Sequence, residues 1–84
     1  NLNLEPQLFP NPATNDITIE MGGVIEQATT LRLRNQLGQV IEQRRLDVPA
    51  EQMRWEVSSL NPGLYIIEIQ TEGLPPKVLR FMKR

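Results

Sequence analysis

Leu60-Asn61-Pro62-Gly63-Leu64-Tyr65-Ile66-Ile67-Glu68-Ile69 carries a turn and a strand back to back. Pro62 suits position i+1 of a type II turn, and Gly63 supplies the positive φ that position i+2 requires. Tyr65, Ile67 and Ile69 then alternate with Ile66, Glu68 and Gln70, the period-two pattern of a strand. Because Ile66 is also apolar, both faces of this strand are predicted to be partly covered.

The same pattern repeats on either side. Asp16 to Met21 alternates, with Ile17, Ile19 and Met21 inward, and Gly22-Gly23 is predicted to end that strand. Thr29 to Arg34 alternates again, with Leu31 and Leu33 inward. Asn35-Gln36-Leu37-Gly38 reads as a short turn, with Gly38 free to take a positive φ. Gln39 to Leu46 is expected to return as the partner strand of a hairpin. Leu37, Val40, Ile41 and Arg44 also fit helical spacing, but the Gly-bearing turn and the alternating strand before it favour a strand. Met53, Trp55 and Val57 alternate with Arg54 and Glu56. After the Glu72–Pro76 loop, Val78, Arg80 and Met82 alternate with Leu79, Phe81 and Lys83. About seven short strands between Gly/Pro turns predict an all-β fold, a small Ig-like antiparallel β-sandwich. Aromatics are few, so aliphatic side chains fill the core, with Trp55 as its one large ring.

At the front of the chain, Leu8-Phe9 supplies an apolar anchor before Pro10-Asn11-Pro12. Each proline fixes φ near about −65° and pushes the residue before it toward extended geometry. A rigid, non-helical corner is expected there. Residues 1–7 read as a linker remnant and residues 8–84 as a single domain. The chain opens at Asn1 without an initiator Met or an apolar signal core, so it reads as a processed or excised piece with any export signal upstream.

An 84-residue chain holds one core. It buries only about 60–65% of its unfolded surface, so its stability is expected to be modest. Without cysteine there is no disulfide or thiolate metal site. Without histidine, the commonest general base and metal ligand is missing. Ser58 and Ser59 therefore have no imidazole to activate them, and nothing in the sequence places Lys77 or Lys83 beside them. The carboxylates are scattered along solvent-facing positions rather than paired. Asp16 and Asp47 stand alone, so no Ca²⁺ loop forms, and neither glycine pattern matches a phosphate loop. No enzyme, no cofactor and no metal are expected.

The net charge is −1, but it is unevenly spread. Residues 1–31 hold Glu5, Asp16, Glu20 and Glu26 and no Lys or Arg. Lys77, Arg80, Lys83 and Arg84 crowd the C-terminal end without an acid. Such asymmetry marks either a partner-binding end or a charged edge strand that resists aggregation. Arg32, Arg34, Arg44 and Arg45 lie on one hairpin, yet the acidic balance and scarce aromatics argue against nucleic acid.

Four features now stand in order: Leu8-Phe9-Pro10-Asn11-Pro12-Ala13-Thr14, then Leu33-Arg34-Asn35-Gln36-Leu37-Gly38-Gln39, then Leu60, Gly63 and Tyr65, and last Arg80-Phe81-Met82-Lys83-Arg84. Their order resembles the C-terminal sorting domain of the type IX secretion system of Bacteroidetes-type bacteria. The family turn is often Tyr-Asp-x-x-Gly-Arg; here Asn35 stands for the Asp and Gln39 for the basic residue. The resemblance runs from about Leu8 to the C-terminus.

It implies a domain that follows a cargo protein, is reached in the periplasm by an outer-membrane translocon, and is removed at the cell surface by a sortase-like cysteine protease. A secreted or cell-surface location follows. Lys77, Arg80, Phe81, Met82, Lys83 and Arg84 become the candidate translocon contacts. Pro10, Asn11, Pro12, Gly38, Gly63 and Tyr65 are expected to fix the fold, because Pro and Gly act through backbone geometry. The fold alone fits a second reading, a non-catalytic accessory or binding module of an extracellular enzyme or adhesin. Exposed edge strands also leave a strand-swapped homodimer open.

Overall fold

The computed structural model describes residues 5–84. Period-two alternation becomes seven strands: β1 (Gln7–Phe9), β2 (Asp16–Ile25), β3 (Thr29–Asn35), β4 (Val40–Arg45), β5 (Ala50–Glu56), β6 (Gly63–Thr71) and β7 (Lys77–Lys83). They form two antiparallel sheets, ordered β1-β2-β5 and β4-β3-β6-β7. The expected all-β, Ig-like sandwich is what folds, and Gln39–Leu46 contributes a strand, not a helix.

The inward sets predicted from alternation are the core. Ile17 and Ile19 of β2, Leu31 and Leu33 of β3, Trp55 of β5 and Ile67 of β6 are fully buried. Phe81 of β7 joins them. Each such side chain contributes about 1.5–3 kcal/mol when removed from water. Thr29 and Thr71 bring two buried hydroxyls into this interior, 3.0 Å apart. Thr29 donates its single proton to the Gln27 carbonyl at 3.0 Å, so Thr71 must donate to Thr29.

Three local expectations are corrected. Gly22-Gly23 does not end the second strand; β2 continues to Ile25 through a register shift against β5. Gly22 takes φ +84°, and a Cβ there would meet the Glu5 backbone at 2.8–2.9 Å. The glycine therefore bends the strand and admits the incoming chain, as a β-bulge does. Leu8-Phe9 is more than an anchor, since β1 pairs with β2 through Leu8↔Ile19 and Phe9↔Thr18. The turn before β6 closes earlier than predicted, with Leu60 N–H on the Val57 carbonyl at 3.0 Å. Gly63 is already within β6, opposite Lys83, with φ +151° rather than the type II value.

The linker reading for residues 1–7 falls mostly outside the described residues; Gln7 opens β1. Gly38 takes φ +85°, as its turn requires. Asn35 Oδ1 accepts the N–H groups of Leu37 and Gln39 at 2.9 and 3.0 Å. An Asn serves there as well as an Asp, because the turn needs a side-chain acceptor and not a charge.

Candidate functional site

The C-terminal strand sits on the edge of the four-stranded sheet, hydrogen-bonded to β6 without a register break from Gly63↔Lys83 to Ile69↔Lys77. Both faces of β7 carry apolar residues, so the sequence could not say which one faces the core. The structure decides it. Phe81 is fully buried and stacks on Tyr65, its cross-strand partner, with ring centroids 5.6 Å apart. Lys83 is buried too, and its Nζ donates to the Arg84 carbonyl at 2.7 Å. Lys77 shares that face at the far end of the strand and is half-buried.

Of the six candidate contacts, then, Arg80, Met82 and Arg84 are exposed, while Phe81 and Lys83 hold the fold. Arg80 and Met82 share the outer face of the sheet with Val78, which is also exposed. Register puts Arg34, Ile66 and Arg80 in one row across β3, β6 and β7, and Leu64 beside Met82. Exposed or half-exposed apolar side chains are thus interleaved with arginines. Arg34 is occupied: it reaches Glu68 Oε1 at 3.2 Å and the Gly38 carbonyl at 2.9 Å. Arg32 is held by Gln43 and Gln70. Among the described residues Arg80 has no ion-pair or side-chain hydrogen-bond partner, which leaves its guanidinium available. Arg34, Leu64 and Ile66 were not picked as contacts from the sequence. Their signal was parity: even-numbered β6 residues lie opposite the core-facing Tyr65, Ile67 and Ile69.

The Pro10-Asn11-Pro12 corner reaches the same strand from the other side. Its Phe9-Pro10 and Asn11-Pro12 peptide bonds are cis. Asn11 Oδ1 accepts the Met82 N–H at 2.9 Å. Ala13 N–H then donates to the Met82 carbonyl at 2.7 Å, and Arg84 N–H donates to the Ala13 carbonyl at 2.9 Å. Ala13 and Lys83 form a parallel bridge. The motif therefore pairs with the C-terminal half of the β7 edge; β1 approaches the same strand, but among the described residues the outward backbone groups of Val78 and Arg80 stay unpaired. Tyr65 is likewise structural: its hydroxyl donates to the Asn61 carbonyl at 2.6 Å and ties down the loop before β6.

On the opposite flank, Trp55 is sealed by charge. Its Nε1–H donates to Glu42 at 2.6 Å, and the Arg44 guanidinium stands 5.0 Å from the ring centroid. Glu42 and Arg44 lie opposite Leu33 and Leu31, so they occupy the core-facing positions of edge strand β4. This cation–π contact and hydrogen bond close the open side of the sandwich. On the outer face of the other sheet, Arg54 binds Asp16, with Nε at 3.0 Å from Oδ2. That hydrogen bond, then the Asp16 charge, push the Arg54 guanidinium further up from its ordinary range. A depression of about 600 Å³ between Glu20, Gly22, Gly23 and Ala50–Gln52 offers two carboxylates and no nucleophile. Among the described residues no three His, Cys, Asp or Glu side chains gather as a metal site would need. Nor is any helix there long and apolar enough to cross a membrane.

This architecture defines an Ig-like β-sandwich module whose most distinctive surface is an edge strand with an apolar and cationic outer face. The chain belongs to the family of secretion system C-terminal sorting domains, whose model matches residues 7–82, and it is a type IX sorting domain. Domains of this family are carried by secreted or cell-surface proteins. A DUF3244 family protein from Bacteroides vulgatus, with an immunoglobulin-like β-sandwich fold, superposes with a TM-score of 0.73 at 14% identity. The superposition covers 96% of this chain and 99% of that one, and at this identity it speaks for the fold alone. No curated protein matches the chain.

Proposed function

We propose that residues 8–84 act as a folded, non-catalytic address, by which the type IX outer-membrane translocon takes up an upstream cargo protein from the periplasm. The stretch before Gln7, which opens β1, leads in from that cargo. A cysteine protease at the cell surface then separates the domain from its cargo. The family match over residues 7–82 carries this reading. Within the domain, the reading assigns recognition to the outer face of β7 and its neighbours. Arg80 is exposed and unengaged there, and Val78 and Met82 offer apolar contact beside it. Recognition by a large receptor needs such a presented surface with complementary charge. Phe81 and Lys83 support that face from inside.

The test fuses the chain to a periplasmic reporter in a type IX-competent host. The intact fusion is expected at the cell surface or in the medium. An Arg80→Glu fusion is expected to lose roughly tenfold in export while its melting midpoint holds, since one reversed contact charge is worth about 1.4 kcal/mol or more at an interface. Retention of the intact fusion in the periplasm would overturn the reading.

A further inference from the structure

Half of the β7 edge keeps backbone groups that no strand of the described residues uses. Along an antiparallel strand, successive residues turn their backbone groups alternately toward one neighbour and then the other. Met82 turns its N–H and C=O away from β6, to Asn11 and Ala13. Arg80 and Val78 share that parity, so their N–H and C=O groups also point away from β6. Among the described residues nothing pairs with them. The edge accepts an added chain already, because Ala13 docks on it in parallel with two short hydrogen bonds. Asn11–Ala13 stops at Met82, and Pro75-Pro76 bounds the other end, leaving a slot a few residues long.

The other edge of the same sheet is less suited. The β4 edge is broken by a register shift between Leu33 and Arg34, and bulges twist an edge away from pairing. β7 has no such shift. Its charges decide the occupant. Arg80 has no partner, Lys77 flanks the slot, and the single acid of this part of the face, Glu68, is engaged by Arg34. Two copies meeting β7 to β7 would bring these cations together. An added strand that alternates acidic and apolar residues would set its carboxylates on the outer face beside Arg80 and its apolar side chains on the core side beside half-buried Leu79.

We propose that the Val78–Arg80 edge of β7 takes an extended, acidic segment of a protein partner as a fifth strand on the four-stranded sheet. The proposal rests on the sorting reading only for which protein carries that segment. Backbone pairing supplies the grip, and alternate side chains supply the selectivity.

Two capped peptides test it, one alternating valine with glutamate and one alternating valine with lysine, each added to the ¹⁵N-labelled chain. The glutamate peptide is expected to slow amide hydrogen exchange at Val78 and Arg80 by roughly tenfold or more. The lysine peptide is expected to leave both amides unchanged. Val78→Pro removes an N–H that β6 does not use, and should abolish the protection, because proline is tolerated at a sheet edge. Arg80→Glu should reverse the preference between the peptides, and it decides the matter alone if the proline variant does not fold. Equal response to both peptides, protection confined to β4 or β5, or protection that grows with protein concentration alone would overturn the proposal. The export assay separates the two readings. An exported reporter with no peptide effect sinks only the strand addition, and a retained reporter with the peptide effect intact sinks only the sorting function.

Discussion

Tyr65 shows how a single motif residue does two jobs. Its ring lies against Phe81, and its hydroxyl holds the Asn61 carbonyl. Tyr65→Phe keeps the first contact and removes the second. A hydrogen bond of this kind contributes about 1 kcal/mol net, so the melting midpoint should fall by about 4–8 °C in a domain this small. A thermal melt followed by circular dichroism reads the change, and an unchanged midpoint would show that the hydroxyl is idle. At this scale the sequence told which residues matter more readily than what they do. Tyr65, Gly38 and Pro10-Asn11-Pro12 stood out because turns and fixed φ angles leave a compositional mark. The role of Asn11 as an acceptor for Met82 left none, since it joins positions 71 residues apart. Glu42 and Arg44 were equally silent, because charged residues on alternating positions read as solvent-facing whether or not a tryptophan lies beneath them.

At the scale of the element, β7 is defined as much by what caps it as by its own residues. Asn11→Ala removes the side-chain acceptor from the Met82 N–H but leaves the two Ala13 backbone bonds. The expected cost is about 0.5–1.5 kcal/mol, with faster amide exchange at Met82 and little change in β2 or β5. Asn11→Asp, which keeps an acceptor, should restore most of the loss; failure of that rescue would place the role of Asn11 elsewhere. Strand existence was legible from β2 onward, because Ile17-Thr18-Ile19, Leu31-Arg32-Leu33 and Tyr65-Ile66-Ile67 alternate around one buried side; the three-residue β1 is too short to alternate. Strand ends were less so. Gly22-Gly23 looks the same whether it stops a strand or bends one, and only the Glu5 backbone pressed against Gly22 tells them apart. For β7, alternation gave two apolar faces and no basis for choosing between them until Phe81 met Tyr65.

The whole molecule is held by one core shared between two sheets, with strands paired across long stretches of sequence: β2 with β5, β3 with β6. Such a unit is expected to melt in one step. Trp55 emission reports the seam where Glu42 and Arg44 of β4 close over β5, and far-ultraviolet circular dichroism reports all the strands. The two melting curves should coincide; an earlier tryptophan transition would mean that β4 opens as a separate flap. The seam beside Ala13 has one more consequence. Synthesis runs from the amino end, so Asn11 and Ala13 wait for their partners until β7 has left the ribosome. A product cut short before Lys77 would have nothing to close over Tyr65 and no finished border on its larger sheet. On the proposed reading, only a chain translated to its end would carry the address.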